Sequence, residues 1–371
     1  MMHNCTFVRN GENETASEKH MANIVTVYRG NGFALDDMAG IRWLKISETL
    51  ARAGHQVDMA IRGDAEPLPS HPNLRRVQLQ AVNWRAYDVV KTLFHHGFDV
   101  LRKYGGADHP FIISKLGSVV GQRDMNGIYF YGRTRRALFA TQQKIVRASK
   151  YVTVLSPEAR MLWHVSHGGR ENVLLVPGAV DAEIPPPSRD PYPKANVPRA
   201  LFAGNIYRPS TQRQANRVLV QKLNALGKAL HARGIRLFML GTGDVSKLNP
   251  QYVTYLGAVP YAESWDYMQL CDVGVVVSAG PFQHNNESTK IYHYLRAGRA
   301  VVSEEGFPND YVVRRAKCGF VVPHSNMELL AEHVERAIHQ AWERAYAVQY
   351  ILDHHTWDKR VGIYNRILGT P

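Results

Sequence analysis

Residues Asn285–Val302 read NNESTKIYHYLRAGRAVV. A polar cluster, Glu287-Ser288-Thr289-Lys290, leads into an apolar stripe, then a glycine at 298, then a β-branched run. The segment before it, DVGVVVS, is a short apolar run suited to a buried strand, and the loop AGPFQHNN joins the two. In open α/β sheets ligands collect beyond the carboxyl ends of strands, where helix starts point inward. A helix start offers unpaired backbone N–H groups and the positive end of the dipole to a phosphate, and Lys290 would add a full charge. Capping alone would also account for Ser288 and Thr289, so in isolation the stretch leaves both readings open.

Strands and helices alternate on both sides of this segment. NIVTVY (Asn23–Tyr28) is a β-rich run ending in the glycine loop RGNGFALDD. A helical pattern follows, with Trp43, Leu44, Ser47 and Leu50 on one face and Gly54 as its stop. VDMAI, FIIS, YVTVLS and NVLLVPG are further short apolar runs, suited to a parallel sheet covered on both faces. Six prolines between Pro185 and Pro198 exclude a helix or central strand and mark a linker. The alternation restarts with ALFAG, a helix over 216–233, RLFMLG, YVTYLG, the helix YAESWDYMQLC and VGVVVS. It continues with a helix over 288–297, AVVSE, GFVVP, one long helix over 327–346 and the amphipathic TWDKRVGIYNRIL. This order predicts an α/β protein of two Rossmann-like, doubly wound domains facing across a cleft. The expected boundaries are a disordered lead-in over 1–20, a first domain over 21–184, the linker over 185–198, a second domain over 199–355 and a helix over 356–371 crossing back to the first.

A length of 371 residues suits two such domains. No apolar run approaches the roughly 18 residues of a membrane span, and residues 1–20 lack the apolar core of a signal peptide. Three cysteines (Cys5, Cys271, Cys318) without a C-x-x-C argue against a disulfide framework or a zinc site and point to a reducing cytoplasm. The net charge of +13 is uneven, with 12 Lys+Arg against 4 Asp+Glu between Lys91 and Arg160. Such a face suits anionic lipid or a phosphorylated substrate, or is simply a solvated basic surface. Nucleic acid is not expected, because no zinc-finger spacing or aromatic RNP-type strand is present. The expected place is the cytoplasm, at the inner face of the membrane.

The segment from Ser278 through ESTKIYHYLRAGRAVV resembles the sugar-nucleotide motif of GT-B glycosyltransferases, especially the family-4 type. The flanks resemble that family in the same order. LFAGNIYRP is similar to its first C-domain strand and glycine loop, LFMLGTGD to its G-x-G strand, and VTYLGAVPYAESWDYMQLCDVGVVVS to the segment that follows. GFPNDYVVRRAKCGFVVP resembles its closing region, and NVLLVPGAVD the end of the acceptor domain, where the family has P-N-G-V-D. The resemblance implies that Gly204 and Gly241 let backbone approach the donor, while Arg208 and Arg213 help neutralise its phosphates. It implies that Lys290 pairs with the diphosphate leaving group, Tyr255 lies at the base, and Ser278, Glu287, Ser288 and Thr289 lie along the donor. A strand-end core aromatic would equally explain Tyr255. Many family members carry E-x₇-E, whose second glutamate holds the ribose; His293 stands in its place, a mixed donor and acceptor. No metal or other cofactor is expected, and no D-x-D clamp occurs in the chain.

The first domain is expected to bind the acceptor, with Gly30 and Gly32 in the loop after strand one. Asp36 is a candidate base, although an acid at a helix start is also favoured by the dipole alone. Family members often have a histidine after the fourth strand. Assigned to FIISKLGSVVGQRD, that region has Lys115, Ser118 and Asp124 but no histidine, and His109 lies at the wrong end. Tyr129–Phe139 mixes aromatics with Arg133, Arg135 and Arg136, as either an amphipathic core helix or a membrane-interface segment. The implied function is metal-independent transfer of a sugar from a UDP- or GDP-sugar to a glycan or polyprenyl-linked acceptor, in surface polysaccharide synthesis. The alternatives are a sugar-nucleotide 2-epimerase of the same fold and a catalytically silent GT-B protein acting as a partner.

Overall fold

A computed structural model describes residues 21–29, 38–63, 69–121, 132–168, 171–194, 196–207, 209–280 and 286–369. Seven strands in the first half form one sheet: β1 (Asn23–Val27), β2 (Gln56–Ile61), β3 (Leu74–Gln78), β4 (Val89–Leu93), β5 (Ile112–Lys115), β6 (Tyr151–Val154) and β7 (Val173–Leu175). Helices α1 (Met38–Arg52), α2 (Phe94–Lys103), α3 (Gly132–Ala148) and α4 (Pro157–His167) alternate with them. Six strands form the second sheet: β8 (Arg199–Ala203), β9 (Arg236–Leu240), β10 (Val253–Gly257), β11 (Val273–Val276), β12 (Ala300–Glu304) and β13 (Gly319–Val322). Around it lie α5 (Pro209–His231), α6 (Tyr261–Leu270), α7 (Thr289–Arg296), α8 (Tyr311–Arg315) and α9 (Met327–His339), followed by α10 (Arg344–His354) and α11 (Trp357–Leu368).

The orders are β3-β2-β1-β4-β5-β6-β7 and β10-β9-β8-β11-β12-β13, with every ladder between these strands parallel. Each order reverses once, between β1 and β4 and between β8 and β11, which opens a crevice beyond the strand ends at those points. Both halves are the doubly wound α/β type expected from the alternation of strands and helices. The central strands are buried end to end, as in β4, β5 and β11, because helices cover both faces.

Three elements differ from the sequence expectation. The strand count in the first sheet rises from five to seven, because β3 and β4 were hidden by charge. β3 (LRRVQ) is a half-exposed edge strand with two arginines, and β4 (VVKTL) buries Lys91, whose Nζ lies 5.2 Å over the Tyr364 ring. The expected single helix over 327–346 is two helices. The chain turns extended at Gln340, and Trp342 folds back to donate to the Ala337 carbonyl at 2.8 Å while packing on Phe320. No glycine or proline marks that break. The linker residues 185–194 and 196–198 form no helix or strand.

The chain end packs against the first sheet's layer. Trp357, Val361 and Tyr364 of α11 share a core with Trp43, Leu44 and Leu50 of α1. Val180 and Thr356 form a parallel bridge where the two chain crossings run side by side. Among the described residues no helix is long and apolar enough to cross a membrane.

Candidate active site

The carboxyl ends of β8 and β9 and the start of α7 enclose a cavity of about 340 Å³, closed on the opposite side by Met38 and Ile41 of α1. Its floor is mostly backbone. Ala203 N–H donates to the Tyr294 hydroxyl, which donates to the Leu201 carbonyl, so β8's end is pinned to α7. A Cβ at Gly204 would run into Lys290 Cε and lie 2.9 Å from its Nζ, so a side chain there would displace the lysine. Gly241, at φ +142°, stacks its backbone on the Gly204 carbonyl in the same way. Asn205 Oδ1 accepts from Thr242 N–H at 2.9 Å and ties the two loops together.

Lys290 reaches from the first turn of α7 into this space, with Nζ 5.1 Å from the Phe202 ring centre. Burial pulls its pKa down to about 8, with no carboxylate among the described residues near enough to oppose the shift. Beside it, Ser288 is buried, and its Oγ has no hydrogen-bond partner among the described residues. Ser288 sits at the N-cap position without making a cap bond. Its backbone is held instead by Asn309, whose side chain accepts from Ser288 N–H and donates to Ser288 C=O, both at 2.9 Å. Ser288 itself lines the cavity, and its hydroxyl is left without a partner among the described residues.

His293 Nδ1 pairs with the Thr289 carbonyl at 2.8 Å, which makes that nitrogen the donor. Nε2 is then free to accept from the Tyr261 hydroxyl at 3.2 Å, and Trp265 stacks on the ring. Burial lowers the histidine's pKa, consistent with this neutral tautomer. Glu287 turns toward the chain crossing, with one oxygen accepting from Gly178 N–H and the other from the Tyr292 hydroxyl at 2.9 Å. Burial raises its pKa against the pull of Gly178 N–H, Tyr292, Arg42 and Arg360.

The structure therefore brings Gly204, Gly241, Glu287, Ser288, Thr289, Lys290 and His293 to one cavity. It places three other residues elsewhere. Tyr255 is 40% exposed with its hydroxyl on the Gly241 carbonyl, outside the cavity lining; Ala258, Val259 and Tyr261 line that end instead. Ser278 is fully buried in a network with Glu304, Lys222 and His324, away from the lining, because its N–H donates to Glu304 and its Oγ meets His324 at 3.0 Å. Arg213 lies on α5 and is not among the lining residues. Arg208, Asp36, Gly30 and Gly32 lie outside the described residues.

A second cavity of about 430 Å³ adjoins the first through Asn286, Glu287 and Thr289, and is walled by the ends of β1, β4 and β5. Here the missed strand matters. With β4 in place, the residues after the fourth strand are Phe94, His95 and His96, so the histidine sought after FIIS stands one strand earlier. Phe94 carries φ +57°, a conformation a bulky residue rarely adopts, and it turns the chain abruptly into α2. His95 has its pKa pulled down to about 4, first by burial and then by His96, so it is neutral at pH 7. His109 is structural, with Nδ1 accepting from Phe111 N–H at 3.1 Å and Nε2 donating to the Tyr87 carbonyl at 2.9 Å. On α3, Phe139 stacks on His167 while Arg133 and Arg136 are exposed, an inward aromatic and outward arginines. Among the described residues no three His, Cys, Asp or Glu side chains converge to hold a metal ion.

Residues 197–340 match the model of the family described as glycosyl transferases group 1. The whole chain is similar in fold to sucrose-phosphate synthase from Thermosynechococcus elongatus, with a TM-score of 0.69, 16% identity, and 94% of this chain and 99% of that chain covered. It is similar to HepE of Anabaena in complex with UDP and glucose, with a TM-score of 0.69, 12% identity, and coverage of 95% and 100%. It is also similar to WaaG, a glycosyltransferase involved in lipopolysaccharide biosynthesis, with a TM-score of 0.61, 14% identity, and coverage of 93% and 100%. No curated protein matches the sequence.

Proposed function

We propose that this chain, a group 1 glycosyltransferase by residues 197–340 and GT-B in fold, moves a sugar from a nucleoside-diphosphate sugar held at the α7 start to an acceptor hydroxyl in the adjoining cavity. The carrying observation is Lys290, a half-buried cation with no salt-bridge partner among the described residues, packed against Gly204 where backbone leaves room for a diphosphate. As the glycosidic bond breaks, the leaving nucleoside diphosphate gains negative charge. A fixed lysine, the α7 amides and the Ser288 hydroxyl stabilise that charge more than the ground state, which is how such a site accelerates the step. Ala258 and Val259 offer apolar surface at the far end for the base, and the Tyr261–His293 pair lies beside it for the ribose. On the acceptor side the neutral His95 has a lone pair with which to hold an incoming hydroxyl.

UDP-sugars are the first donors to try, with GDP-sugars second, because the similar HepE structure holds UDP and glucose. A glycan or lipid-linked glycan acceptor in surface polysaccharide synthesis, used at the cytoplasmic membrane face, is supported by the likeness to WaaG and by the basic first half. Isothermal titration with UDP, GDP and their sugars tests the donor half. Micromolar binding by the wild type and its loss in Lys290→Ala are expected. Absence of all nucleotide binding in the folded protein would overturn the transferase reading.

A further inference from the structure

The acceptor-side cavity is short of negative charge. Arg29, Arg42, His95, His96 and Lys115 line it, and Glu287 is the one carboxylate among its described lining residues. Both oxygens of that carboxylate are engaged, by Gly178 N–H and the Tyr292 hydroxyl. Lys115 is 3% exposed and Arg42 6% exposed. Among the described residues, neither has a salt-bridge partner. Lys115 Nζ lies 4.1 Å from the centre of the Phe94 ring, and the Arg42 guanidinium lies 5.7 Å from the centre of the Trp357 ring. The attraction of Lys115 to Glu287 is weaker than its repulsion by Arg42 and Lys91. Arg42 feels the pull of Glu287, whose oxygens are already engaged, and burying several cations at one cavity against a single carboxylate is costly.

Resting on the transferase reading, we propose that the acceptor itself carries an anionic group, a phosphate or carboxylate, close to the hydroxyl that is glycosylated, and that Lys115 with Arg42 behind it holds that group. Burial lowers the proton affinity of Lys115 well below its ordinary value, so the anion both requires and restores the ammonium form. A sugar phosphate, a uronic acid and a sugar on a polyprenyl phosphate all present this chemistry. The donor diphosphate is the competing occupant, because the two cavities share Asn286, Glu287 and Thr289.

The test is calorimetric titration of the UDP-saturated full-length protein with glucose, glucose 6-phosphate, glucuronate and farnesyl diphosphate in detergent. At least one of the anions is expected to bind tenfold or more tightly than glucose. Lys115→Met, which keeps length and removes charge, is expected to erase that preference while UDP affinity stays within twofold. Farnesyl diphosphate as the preferred anion identifies a lipid-borne source, and the sugar anions a soluble one. No preference over glucose in the wild type overturns the proposal without any variant. So does a preference that survives Lys115→Met, or a loss of UDP affinity in that variant, which assigns the lysine to the donor. A wild type that fails to bind UDP removes the transferase reading, and this inference with it.

Discussion

The two walls of the crevice share a topology and differ in what they are made of. The wall beyond β8 and β9 is chiefly backbone: two glycines at van der Waals limit, a helix start, and an asparagine that fixes Ser288 through its main chain. Among its described residues one lysine supplies the positive charge. The wall beyond β4 and β5 is chiefly side chain, with His95 on a strained turn, Lys115 at a strand end, and Arg42 reaching from α1. Main-chain geometry suits a group that every nucleoside-diphosphate sugar has in common. Side chains at strand ends suit whatever differs from one acceptor to another.

The largest effect is expected where the donor wall loses its charge. Lys290→Ala should lower kcat/KM for transfer by about 10²–10³, the usual cost of removing one group that stabilises a departing anion. Slow hydrolysis of the donor, measured without acceptor, should fall by a similar factor. Lys115→Met should depress transfer and leave that hydrolysis in place. Equal loss of hydrolysis in both variants would break the division between the walls. Thermal unfolding should separate a folding defect from a chemical one, since Lys290→Ala removes a half-buried cation that has no salt-bridge partner among the described residues and should not lower Tm.

A smaller effect tests the close approach itself. Gly204→Ala places a methyl group against Lys290 Cε and 3.2 Å from the Phe202 ring. The lysine must shift, and UDP affinity should fall about tenfold, roughly 1.4 kcal/mol. Unchanged affinity would mean that the lysine is not positioned by this contact.

Acidity should sharpen the same contrast. Lys290 in the free protein holds its proton only up to a pH of about 8. A diphosphate selects the ammonium form, so above that pH binding must take up a proton and weakens as pH rises. From pH 7 to 9 the UDP dissociation constant should increase about tenfold. The acceptor wall runs the other way. His95 stays neutral down to a pH of about 4, so transfer at saturating donor should show no imidazole inflection between pH 6 and 8. Titration calorimetry and a pH–rate profile read the two halves separately.

The unequal legibility of the two walls in the sequence has the same physical origin. Strand, loop and helix start around Ser278–Lys290 follow one another within a dozen residues, so hydrophobic patterning alone puts Lys290 at the end of a buried strand. Gly204 and Gly241 stand directly after apolar runs, but a role for them at the donor came only from the family resemblance. Local pattern does not say which way a strand-end side chain turns, and so Ser278 joins the Glu304–Lys222–His324 network and Tyr255 bonds to Gly241. On the other wall β4 was unreadable, because a strand that buries a lysine breaks the apolar run that reveals strands. Its loss displaced the histidine by a whole strand. The fold of both halves was recoverable from alternation, since no single strand decides it. The break at Gln340 was not, because it depends on Trp342 meeting Phe320, a residue twenty positions away.

The smallest expected effect returns to the choice between capping and ligand binding at Ser288. A serine that caps a helix loses about 1 kcal/mol of stability on replacement by alanine. Here the hydroxyl makes no cap bond and Asn309 already holds the backbone, so Ser288→Ala leaves no new unpaired group behind. Stability should stay within about 0.5 kcal/mol of wild type, while a lost phosphate hydrogen bond should weaken UDP binding a few-fold, about 1 kcal/mol. Denaturant unfolding and UDP titration on the same variant give the two numbers. A destabilised variant with intact UDP affinity would make Ser288 a cap after all, and would leave Lys290 and the α7 amides to hold the diphosphate without it.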